Sequence, residues 1–472
     1  MANNESKGFY KLNWMQRIGF GAGDMAQNLI YQTVSIWLLF FYTNVYGLDP
    51  GAAAVMFLIV RLIDWLWDPV VGAFVDKSNP KWGKYRSWLI LGGIPLTGFA
   101  ILCFWNGFSG SLLYAYVTYV LMSMAYTLVN VPYGALNSSL TRDTNEITIL
   151  TSTRMFMANA GALIVKSLPM VIAVFAPMAA DGSAVINKPE SAGAWFITMT
   201  IFALAGMALL VFCFTQSKER VVMDKAEADK VKASDLFTEF VRNRPLRVLA
   251  FFFVTAFAMM SVSNAADAYF MTYNVGANEY MTTAFMWLGT IPAFIFMPLV
   301  PAIKRAVGKK GMFYCFLGVA ILGMLLMYIC VQVESLKQFW ILCVIQFIKS
   351  TGIIVATGYM WALVPEVVSY GEYKSGKRIA GIVNALTGIF FKLGMALGGV
   401  VPGAVLAFVG FNASLDKQSA FAEQGILWLV CVIPAILLGL AIFIISKYEL
   451  SDEKMDEINK AIEEGTVVHD VE

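Results

Sequence analysis

Three ionisable residues lie close together in an otherwise apolar stretch, RLIDWLWDP. Arg61, Asp64 and Asp68 are separated by three and four residues, so on a helix they share one face. Two carboxylates within about one helical turn repel each other, so such a pair tends to take up a proton or hold a cation between its members. The spacing therefore predicts a site for a monovalent cation or a proton. The alternative is a structural pair between Arg61 and an aspartate.

Asp24, Arg154 and Lys392 are also ionisable residues within apolar segments. Asp24 has the acceptor capacity to bind two hydroxyl groups of a polar ligand such as a sugar, and a neighbouring cation such as Arg154 would keep it ionised. Lys392 is a candidate to balance the carboxylates of Asp64 and Asp68. For each of these residues, the alternative is a structural ion pair.

Lys166 and Lys349 have no carboxylate within four residues on either side. A surplus of positive charge in apolar segments suits an anionic substrate, because an unpaired ammonium group is costly away from water. The alternative is that these lysines extend to the membrane surface or pair with Asp267. The segments contain five cations against four acids: Arg61, Arg154, Lys166, Lys349 and Lys392 against Asp24, Asp64, Asp68 and Asp267.

The composition of the whole chain is that of a membrane protein. Of its 472 residues, 58% are hydrophobic and 14% are charged, whereas about a quarter are charged in an ordinary globular protein. So few charges cannot cover soluble domains of this size. The formal net charge of +2 arises from 34 basic and 32 acidic residues, so the balance implies no nucleic-acid partner. The sequence predicts a polytopic protein in a lipid bilayer.

Histidine and cysteine usage excludes several kinds of chemistry. The single histidine, His469, lies in a polar C-terminal segment, so neither a histidine metal site nor a Ser-His-Asp triad can form in the membrane. The six cysteines are scattered singly with no CxxC pair, which predicts small core residues rather than disulfides. The polar segment 1–17 lacks the apolar core of a cleavable signal peptide. No cofactor and no resident metal are expected.

About twelve membrane spans result when the chain is divided at its charged or turn-rich interruptions, since a bilayer core needs about 20 apolar helical residues. The longest charged interruption between spans divides six of them from the other six. The predicted spans are 21–46, 52–75, 87–106, 113–138, 148–176, 194–215, 248–274, 281–302, 311–333, 338–364, 381–409 and 425–446.

The predicted organisation is an N-terminal six-helix bundle (1–216), a cytoplasmic linker (217–247), a C-terminal six-helix bundle (248–447) and a cytoplasmic tail (448–472). Orientation follows from the distribution of lysine and arginine, which favours the cytoplasmic side. With both termini inside, 26 of the 34 basic residues are cytoplasmic, three lie in outer loops and five lie within spans.

A weak internal repeat supports two related halves. The basic turn WGKYR, residues 82–86, follows the second span, and the basic turn KRAVGKKG, residues 304–311, follows the eighth. Two six-helix halves with matching inner turns are typical of the major facilitator fold, in which a central cavity opens alternately to each side. The sequence therefore predicts an all-α membrane protein of this fold. We expect a monomer.

Six segments resemble the glycoside-pentoside-hexuronide:cation symporter family of the major facilitator superfamily. They extend over most of the chain, and the motif of the second span with the following WGKYR is the most specific, together with SYGEYK, which is expected to form a turn. The segments are GFGAGDMAQN (19–28), RLIDWLWDPVVG (61–72), KWGKYRSW (81–88), AYTLVNVPYGAL (125–136), ALVPEVVSYGEYKSGKR (362–378) and FKLGMALGG (391–399).

The resemblance implies secondary uptake of a sugar, driven by a cation gradient across the bacterial cytoplasmic (inner) membrane. It implies sugar contacts at four residues and a cation site at three, with Lys392 close by. The implied sugar contacts are Asp24, Tyr126, Asn130 and Arg154, and the implied cation residues are Asp64, Asp68 and Thr127. Tyr126 is also the best candidate for an aromatic platform under a sugar ring.

The chain departs from the melibiose-permease branch of the family at three positions. Asn130 stands where that branch has an aspartate, and Trp67 stands where it has an asparagine between the paired aspartates. Two oxygen-bearing positions of a sodium site are thus weakened or lost, which favours H+ over Na+ as the coupling ion. Gly134 replaces a tryptophan that stacks on the sugar. The sequence VNVPYGAL instead resembles the glucuronide-carrier branch.

The sequence therefore predicts a sugar:cation symporter, of a glycoside, pentoside or hexuronide, that works by alternating access and is not an enzyme. The first alternative is a Na+-coupled symporter of a neutral glycoside, with Na+ at Asp64 and Asp68. Two alternatives come from other classes, namely a membrane enzyme acting on lipid-linked sugars and a sugar sensor that does not transport. The enzyme would need a sizeable polar catalytic loop, and the sensor would need a signalling domain.

Overall fold

The structure, a computed structural model, is built of helices. It describes residues 10–78, 80–141, 144–179, 184–220, 240–375, 380–415 and 417–463, together with Gly182 and Thr238. Within these residues no β-strand is present, and a single isolated bridge joins Met178 to Ala184. His469 and residues 221–237 of the predicted linker lie outside the described residues. The all-α prediction is confirmed.

The first six predicted spans correspond to eight α-helices. These are α1 (Trp14–Phe40), α2 (Pro50–Lys77), α3 (Ser87–Leu91), α4 (Gly93–Cys103), α5 (Leu112–Leu140), α6 (Thr144–Lys166), α7 (Leu168–Phe175) and α8 (Ala192–Gln216).

Ten further α-helices follow. These are α9 (Arg244–Tyr269), α10 (Glu279–Leu288), α11 (Ile291–Phe296), α12 (Val300–Gln332), α13 (Phe339–Met360), α14 (Leu363–Ser375), α15 (Ala380–Phe408), α16 (Ala420–Leu427), α17 (Ile433–Ser446) and α18 (Asp452–Glu463).

Every predicted span overlaps one or more of these helices, and several spans are broken by turns. Seven described segments are long and apolar enough to cross a membrane, and α6 with α7 forms an eighth that is bent by 42°. The break inside α12 falls at Gly308, whose φ of 73° and ψ of 170° leave the helical region. Glycine tolerates a positive φ because it has no side chain. This break lies in the predicted turn KRAVGKKG.

Two segments that the sequence predicts as non-helical are helical. SYGEYK is expected as a turn, yet Ser369–Lys374 belongs to α14, whose Tyr370 and Tyr373 pack against a hydrophobic core. The predicted polar tail contains α18, which buries Met455 and Ile458 in the same core. Apolar residues three positions apart on α18 share one face, and burial of that face offsets the polarity of the rest.

The chain forms two compact units, each with its own packed helices. The first comprises Met1–Asp224, Met271–Trp287 and Gly399–Glu423, and in it α1 packs against α6 and α8, and α2 against α5. The second comprises Lys225–Phe270, Leu288–Gly398 and Gln424–Glu472, and in it α12 packs against α13, and α9 against α17. The predicted boundaries at 216 and 248 stay predictions.

The helices α1 and α9 end in the same unusual way, and the sequence analysis missed this repeat. Each continues into a π-helix, Phe41–Tyr46 or Phe270–Val275, and each π-helix is followed by a glycine with positive φ, 88° at Gly47 and 68° at Gly276. A backbone bond across the turn closes each end: Leu48 N donates to Tyr42 O at 2.8 Å, and Ala277 N donates to Met271 O at 2.9 Å.

The cysteine prediction holds for five of the six residues. All six cysteines are free thiols, and five are buried as predicted core residues; the sixth, Cys315, is exposed.

Candidate functional site

A charged pair joins α1 to α6 in the first unit. Arg154 Nε donates to Asp24 Oδ2 at 2.5 Å, and Arg154 Nη2 lies 3.4 Å from Asp24 Oδ1. The side chains are 21% and 19% exposed, so neither is sealed from a ligand. Arg154 is thus the neighbouring cation that the sequence analysis expected for Asp24.

A tyrosine from α5 contacts the same carboxylate. The Tyr133 hydroxyl lies 3.2 Å from Asp24 Oδ2 and 2.7 Å from the backbone oxygen of Phe20. The Arg154 guanidinium lies 4.7 Å from the centre of the Tyr133 ring, within the range of a cation–π contact. Three helices therefore meet at one ionised pair.

The predicted cation residues on α2 face α5. Asp64 Oδ2 accepts a 2.6 Å hydrogen bond from the Ser123 hydroxyl, and Asp68 Oδ1 accepts a 3.2 Å bond from the Thr127 hydroxyl. Both pairs are separated by 59 residues, so α2 and α5 run in the same direction here. Two carboxylates, one turn apart, are thus matched by two hydroxyls, one turn apart.

Arg61 connects this pair of helices to α1. Its Nη1 lies 3.6 Å from Asp64 Oδ2 and donates a 3.2 Å hydrogen bond to the Tyr31 hydroxyl. The Tyr31 ring stacks on the Tyr126 ring with centroids 4.6 Å apart and an interplanar angle of 21°. Tyr31 therefore covers one face of Tyr126, so a sugar ring can stack only on the other.

Two of the three positions that depart from the melibiose-permease branch, Trp67 and Asn130, lie on the helices that form this site, α2 and α5. Asn130 is half-buried on α5, one turn from Tyr126. The Trp67 indole donates a 3.3 Å hydrogen bond to the backbone oxygen of Met124. An indole N–H is a donor only, so Trp67 supplies no oxygen or lone pair to a cation.

The remaining three candidate residues are lysines on other helices. Lys166 is buried at the end of α6 in the first unit, and Lys392 is exposed on α15 in the second. Lys349 on α13 is 2% exposed, and its ammonium group donates no hydrogen bond to any described residue. A Cβ at Gly323 would lie 2.9 Å from the Cβ of Lys349, so this glycine allows α12 to approach the lysine closely.

Three contacting residues were missed in the sequence analysis: Tyr31, Ser123 and Tyr133. Ser123 had a detectable signal, since Ser123 and Thr127 repeat the four-residue spacing of Asp64 and Asp68. Tyr31 and Tyr133 had none, because a tyrosine in an apolar span is most often a packing residue. Within the described part of the chain, no group of three or more His, Cys, Asp or Glu side chains is placed to hold a metal ion.

Comparison with known proteins identifies the family of the chain. Residues 19–452 match the family described as MFS/sugar transport protein. An uncharacterized symporter of Bacillus subtilis (strain 168), YnaJ, is 42% identical over 467 residues, with 98% of each chain covered. Two proteins of Escherichia coli (strain K12) are each 31% identical to the chain. One is the putative glycoside/cation symporter YagG, with 96% of this chain and 95% of that one covered, and the other is a glucuronide carrier protein homolog, with 95% of each covered.

Among solved structures, a D-xylose-proton symporter superposes with a TM-score of 0.62, covering 93% of this chain and 97% of the other. The two sequences are 13% identical, so this likeness bears on the fold alone.

Proposed function

The chain belongs to the MFS/sugar transport protein family, and on that premise we propose that it is a sugar:cation symporter that takes up a glycoside, pentoside or hexuronide together with H+. It is a multi-pass membrane protein of the major facilitator fold, and a transporter rather than an enzyme. The name of the relative YagG, a putative glycoside/cation symporter, supports this class of function. We place it in the bacterial cytoplasmic membrane with both termini in the cytoplasm.

The observation that supports the proposal is the pair of side-chain hydrogen bonds between α2 and α5. Asp64 and Asp68 each accept a hydrogen bond from a hydroxyl of the neighbouring helix, at 2.6 and 3.2 Å. Ionisable groups within membrane spans are costly and mark ion or proton pathways. Two carboxylates at one turn's separation form a site that changes its charge when a cation or proton binds.

We favour the proton for three reasons of local chemistry. The Arg61 guanidinium, 3.6 Å from Asp64 Oδ2, already supplies a positive charge. This charge would repel a sodium ion at Asp64. Trp67 contributes only a donor, and Asn130 contributes a neutral amide in place of a carboxylate. A proton needs a single carboxylate, and we assign this role to Asp68, whose partner is Thr127.

One observation favours the alternative, Na+ coupling. The hydroxyl oxygens of Ser123 and Thr127 lie beside the two carboxylates, and hydroxyl and carboxylate oxygens together are suitable ligands for a hard cation. Sodium would then replace the hydroxyl-to-carboxylate hydrogen bonds with direct coordination. The choice between the ions is therefore an experimental question with two distinct outcomes.

We propose the sugar site around Asp24 and Arg154, with Tyr126 and Asn130 as further contacts. Asp24 accepts a hydrogen bond from a sugar hydroxyl, and the exposed face of Tyr126 supports the ring. Arg61 and Tyr31 link the two sites physically, because Arg61 contacts Asp64 and Tyr31, and Tyr31 stacks on Tyr126. A charge change at the carboxylates would thus reach the sugar site through two side chains.

For the substrate we propose an acidic sugar. Lys349 is buried with no hydrogen-bond partner among the described residues. Asp267 and Lys349 both act electrostatically on the Cys431 thiol, and we propose that an acidic sugar adds a second anion for this ammonium group. Among the relatives, the glucuronide carrier protein homolog is named for an acidic sugar conjugate.

The test is uptake by sealed vesicles that contain the protein. Labelled methyl β-D-glucoside, methyl β-D-xyloside and methyl β-D-glucuronide are supplied with and without an imposed gradient of H+ or Na+. The proposal expects at least one of these sugars to accumulate above its external concentration only when a cation gradient is imposed. Sugar modification without accumulation would identify an enzyme, and binding without uptake would identify a sensor.

A further inference from the structure

Two side chains, Arg154 and Tyr133, contact the carboxylate of Asp24, and its two oxygens are held differently. Oδ2 lies 2.5 Å from Arg154 Nε and 3.2 Å from the Tyr133 hydroxyl. Among the described residues, Oδ1 has only the longer contact of 3.4 Å with Arg154 Nη2. Oδ2 thus has two close contacts, one with the guanidinium and one with a hydroxyl whose single proton is shared with the Phe20 oxygen, whereas Oδ1 retains more capacity for a ligand.

Tyr133 is fixed at this position by its second contact. Its side chain is 1% exposed, and its hydroxyl lies 2.7 Å from the backbone oxygen of Phe20, one turn before Asp24 on the same helix. The hydroxyl therefore bridges the turn of α1 that carries Asp24. The Phe20 ring packs against the Tyr133 ring with centroids 5.0 Å apart.

The glycines of the motif GFGAGD explain how three helices reach one carboxylate. A Cβ at Gly23 would lie 2.4 Å from Cε2 of Tyr133, so a larger residue would displace the ring. A Cβ at Gly21 would lie 3.1 Å from side-chain atoms of Thr153 and Met157, the neighbours of Arg154 on α6. Gly23 thus admits the tyrosine, and Gly21 admits the helix that carries the arginine.

We propose that Tyr133 is a positioning residue of the sugar site, which orients Asp24 so that Oδ1 accepts a hydrogen bond from one sugar hydroxyl. This inference rests on the proposed function. Asp24 contributes one acceptor to the sugar, rather than the two that its carboxylate could offer in isolation. Tyr133 therefore influences which sugar binds although it does not contact the sugar itself, because it sets the position of Asp24.

The arrangement also restricts how an acidic sugar can bind. Arg154 is committed to Asp24 through Nε and Nη2, and a sugar carboxylate next to Asp24 would meet a like charge. The group that faces Asp24 must therefore be a hydroxyl. In a hexuronide the carboxylate therefore lies away from Asp24.

The experiment compares Tyr133→Phe with Tyr119→Phe in reconstituted vesicles. Tyr119 lies on the same helix and is equally buried, but its hydroxyl has no hydrogen-bond partner among the described residues. Labelled methyl β-D-glucuronide and methyl β-D-glucoside are the probes, in downhill exchange without a cation gradient. The half-saturating concentration and the maximal rate are measured for both variants, with thermal unfolding of each as a check on folding.

Tyr133→Phe is expected to raise the half-saturating sugar concentration about tenfold, the effect of one lost hydrogen bond to a charged group. The maximal rate of downhill exchange should stay unchanged, and Tyr119→Phe should behave like the wild type. Equal half-saturating concentrations for both variants would overturn the positioning role. Failure of the proposed function itself would be seen differently, as an absence of gradient-driven uptake in the wild type.

Discussion

The Nε atom of Arg154 lies 2.5 Å from Oδ2 of Asp24 and joins two helices across 130 residues of sequence. A second ion pair joins the same helices with the opposite polarity, because Arg17 on α1 lies 2.6 Å from Glu146 on α6. The first pair lies where Tyr133 also converges, and the second lies near the ends of the helices. We therefore propose that the first pair acts in sugar recognition and the second in helix packing.

The variants Arg154→Gln and Arg17→Gln provide a test of this separation. Each leaves a partly buried carboxylate without its cation, which costs a few kcal/mol in the free energy of unfolding, roughly 3 to 5 for fully buried pairs. We expect both variants to unfold at lower temperature, but only Arg154→Gln to lose sugar binding. Thermal unfolding and binding of labelled methyl β-D-glucuronide measure the two effects. Sugar binding by Arg154→Gln at wild-type affinity would contradict the sugar-site assignment.

The second prediction concerns the paired carboxylates of α2. Asp68→Asn should abolish gradient-driven accumulation, because the amide cannot gain and release a proton in the working pH range. Asp64→Asn should also abolish it, because it removes the carboxylate that pairs with Arg61 beside this site. Downhill exchange of the sugar should survive, since the sugar contacts are elsewhere.

The control is Asp49→Asn, which removes a carboxylate at the start of the same helix. Asp49 accepts a hydrogen bond from Ala52 N as the N-cap of α2, and asparagine caps helices about as well. Accumulation should remain normal in this variant. If Asp64→Asn and Asp68→Asn both accumulate sugar fully, the cation-site assignment is wrong.

The third prediction concerns the charge of the substrate. If Lys349 and Lys166 provide positive charge for an anionic sugar, methyl β-D-glucuronide should compete better than methyl β-D-glucoside for uptake. Lys349→Gln or Lys166→Gln should reduce the advantage of methyl β-D-glucuronide over methyl β-D-glucoside as a competitor. Lys337→Gln, in a predicted outer loop, should leave that advantage unchanged. A neutral glycoside or pentoside that binds more tightly than the acidic sugar, with normal affinity in both lysine variants, would make the lysines structural.

The fourth prediction concerns α18. Ion pairs attach this helix to the rest of the second unit. Asp452 lies 2.7 Å from Lys304 and 3.2 Å from Lys309, and Lys309 also lies 2.8 Å from Glu366. The hydrogen bond from Lys304 lowers the pKa of Asp452 below its ordinary value. The stability that ionised Asp452 gives to the folded state is therefore complete above the ordinary pKa of an aspartate. It is lost as the pH falls through the lowered pKa of the folded state.

Asp452→Asn should speed amide exchange in residues 452–463 at neutral pH, and high salt should do the same in the wild type. Asp456→Asn removes an exposed charge from the same helix and should have little effect. Unchanged exchange in Asp452→Asn would mean that the burial of Met455 and Ile458 alone holds the helix.

The sequence predicted the spans and the charged residues well because both depend on local properties. The cost of a charge in lipid singled out Asp24, Asp64, Asp68 and Arg154 before any contact was known. Neighbours on other helices were harder to predict, because Ser123 and Tyr133 are ordinary residues for a span and become partners only through helix packing. Gly21 and Gly23 form a visible pattern in the sequence. Their function could be recognised only once the side chains that approach them were known.

The helical character of α14 and α18 was missed for a related reason. Polar residues and glycine after a span predict a turn or a tail. Such residues lower the helix propensity of a segment, but only by a small free energy per residue. Tertiary packing overrides it here, since Tyr370 and Ile458 contribute to a core formed by residues far away in the sequence.

Sugar-driven ion movement tests coupling most directly. Proteoliposomes in weak buffer, free of sodium and without an imposed gradient, receive methyl β-D-glucuronide or methyl β-D-glucoside while the external pH is recorded, with valinomycin and potassium to clamp the membrane potential. The account predicts that a transported sugar makes the external medium more alkaline, that a protonophore abolishes this signal, and that Asp68→Asn does not show it. Sugar entry that leaves the external pH unchanged, and that proceeds only when a sodium gradient is supplied, would contradict proton symport.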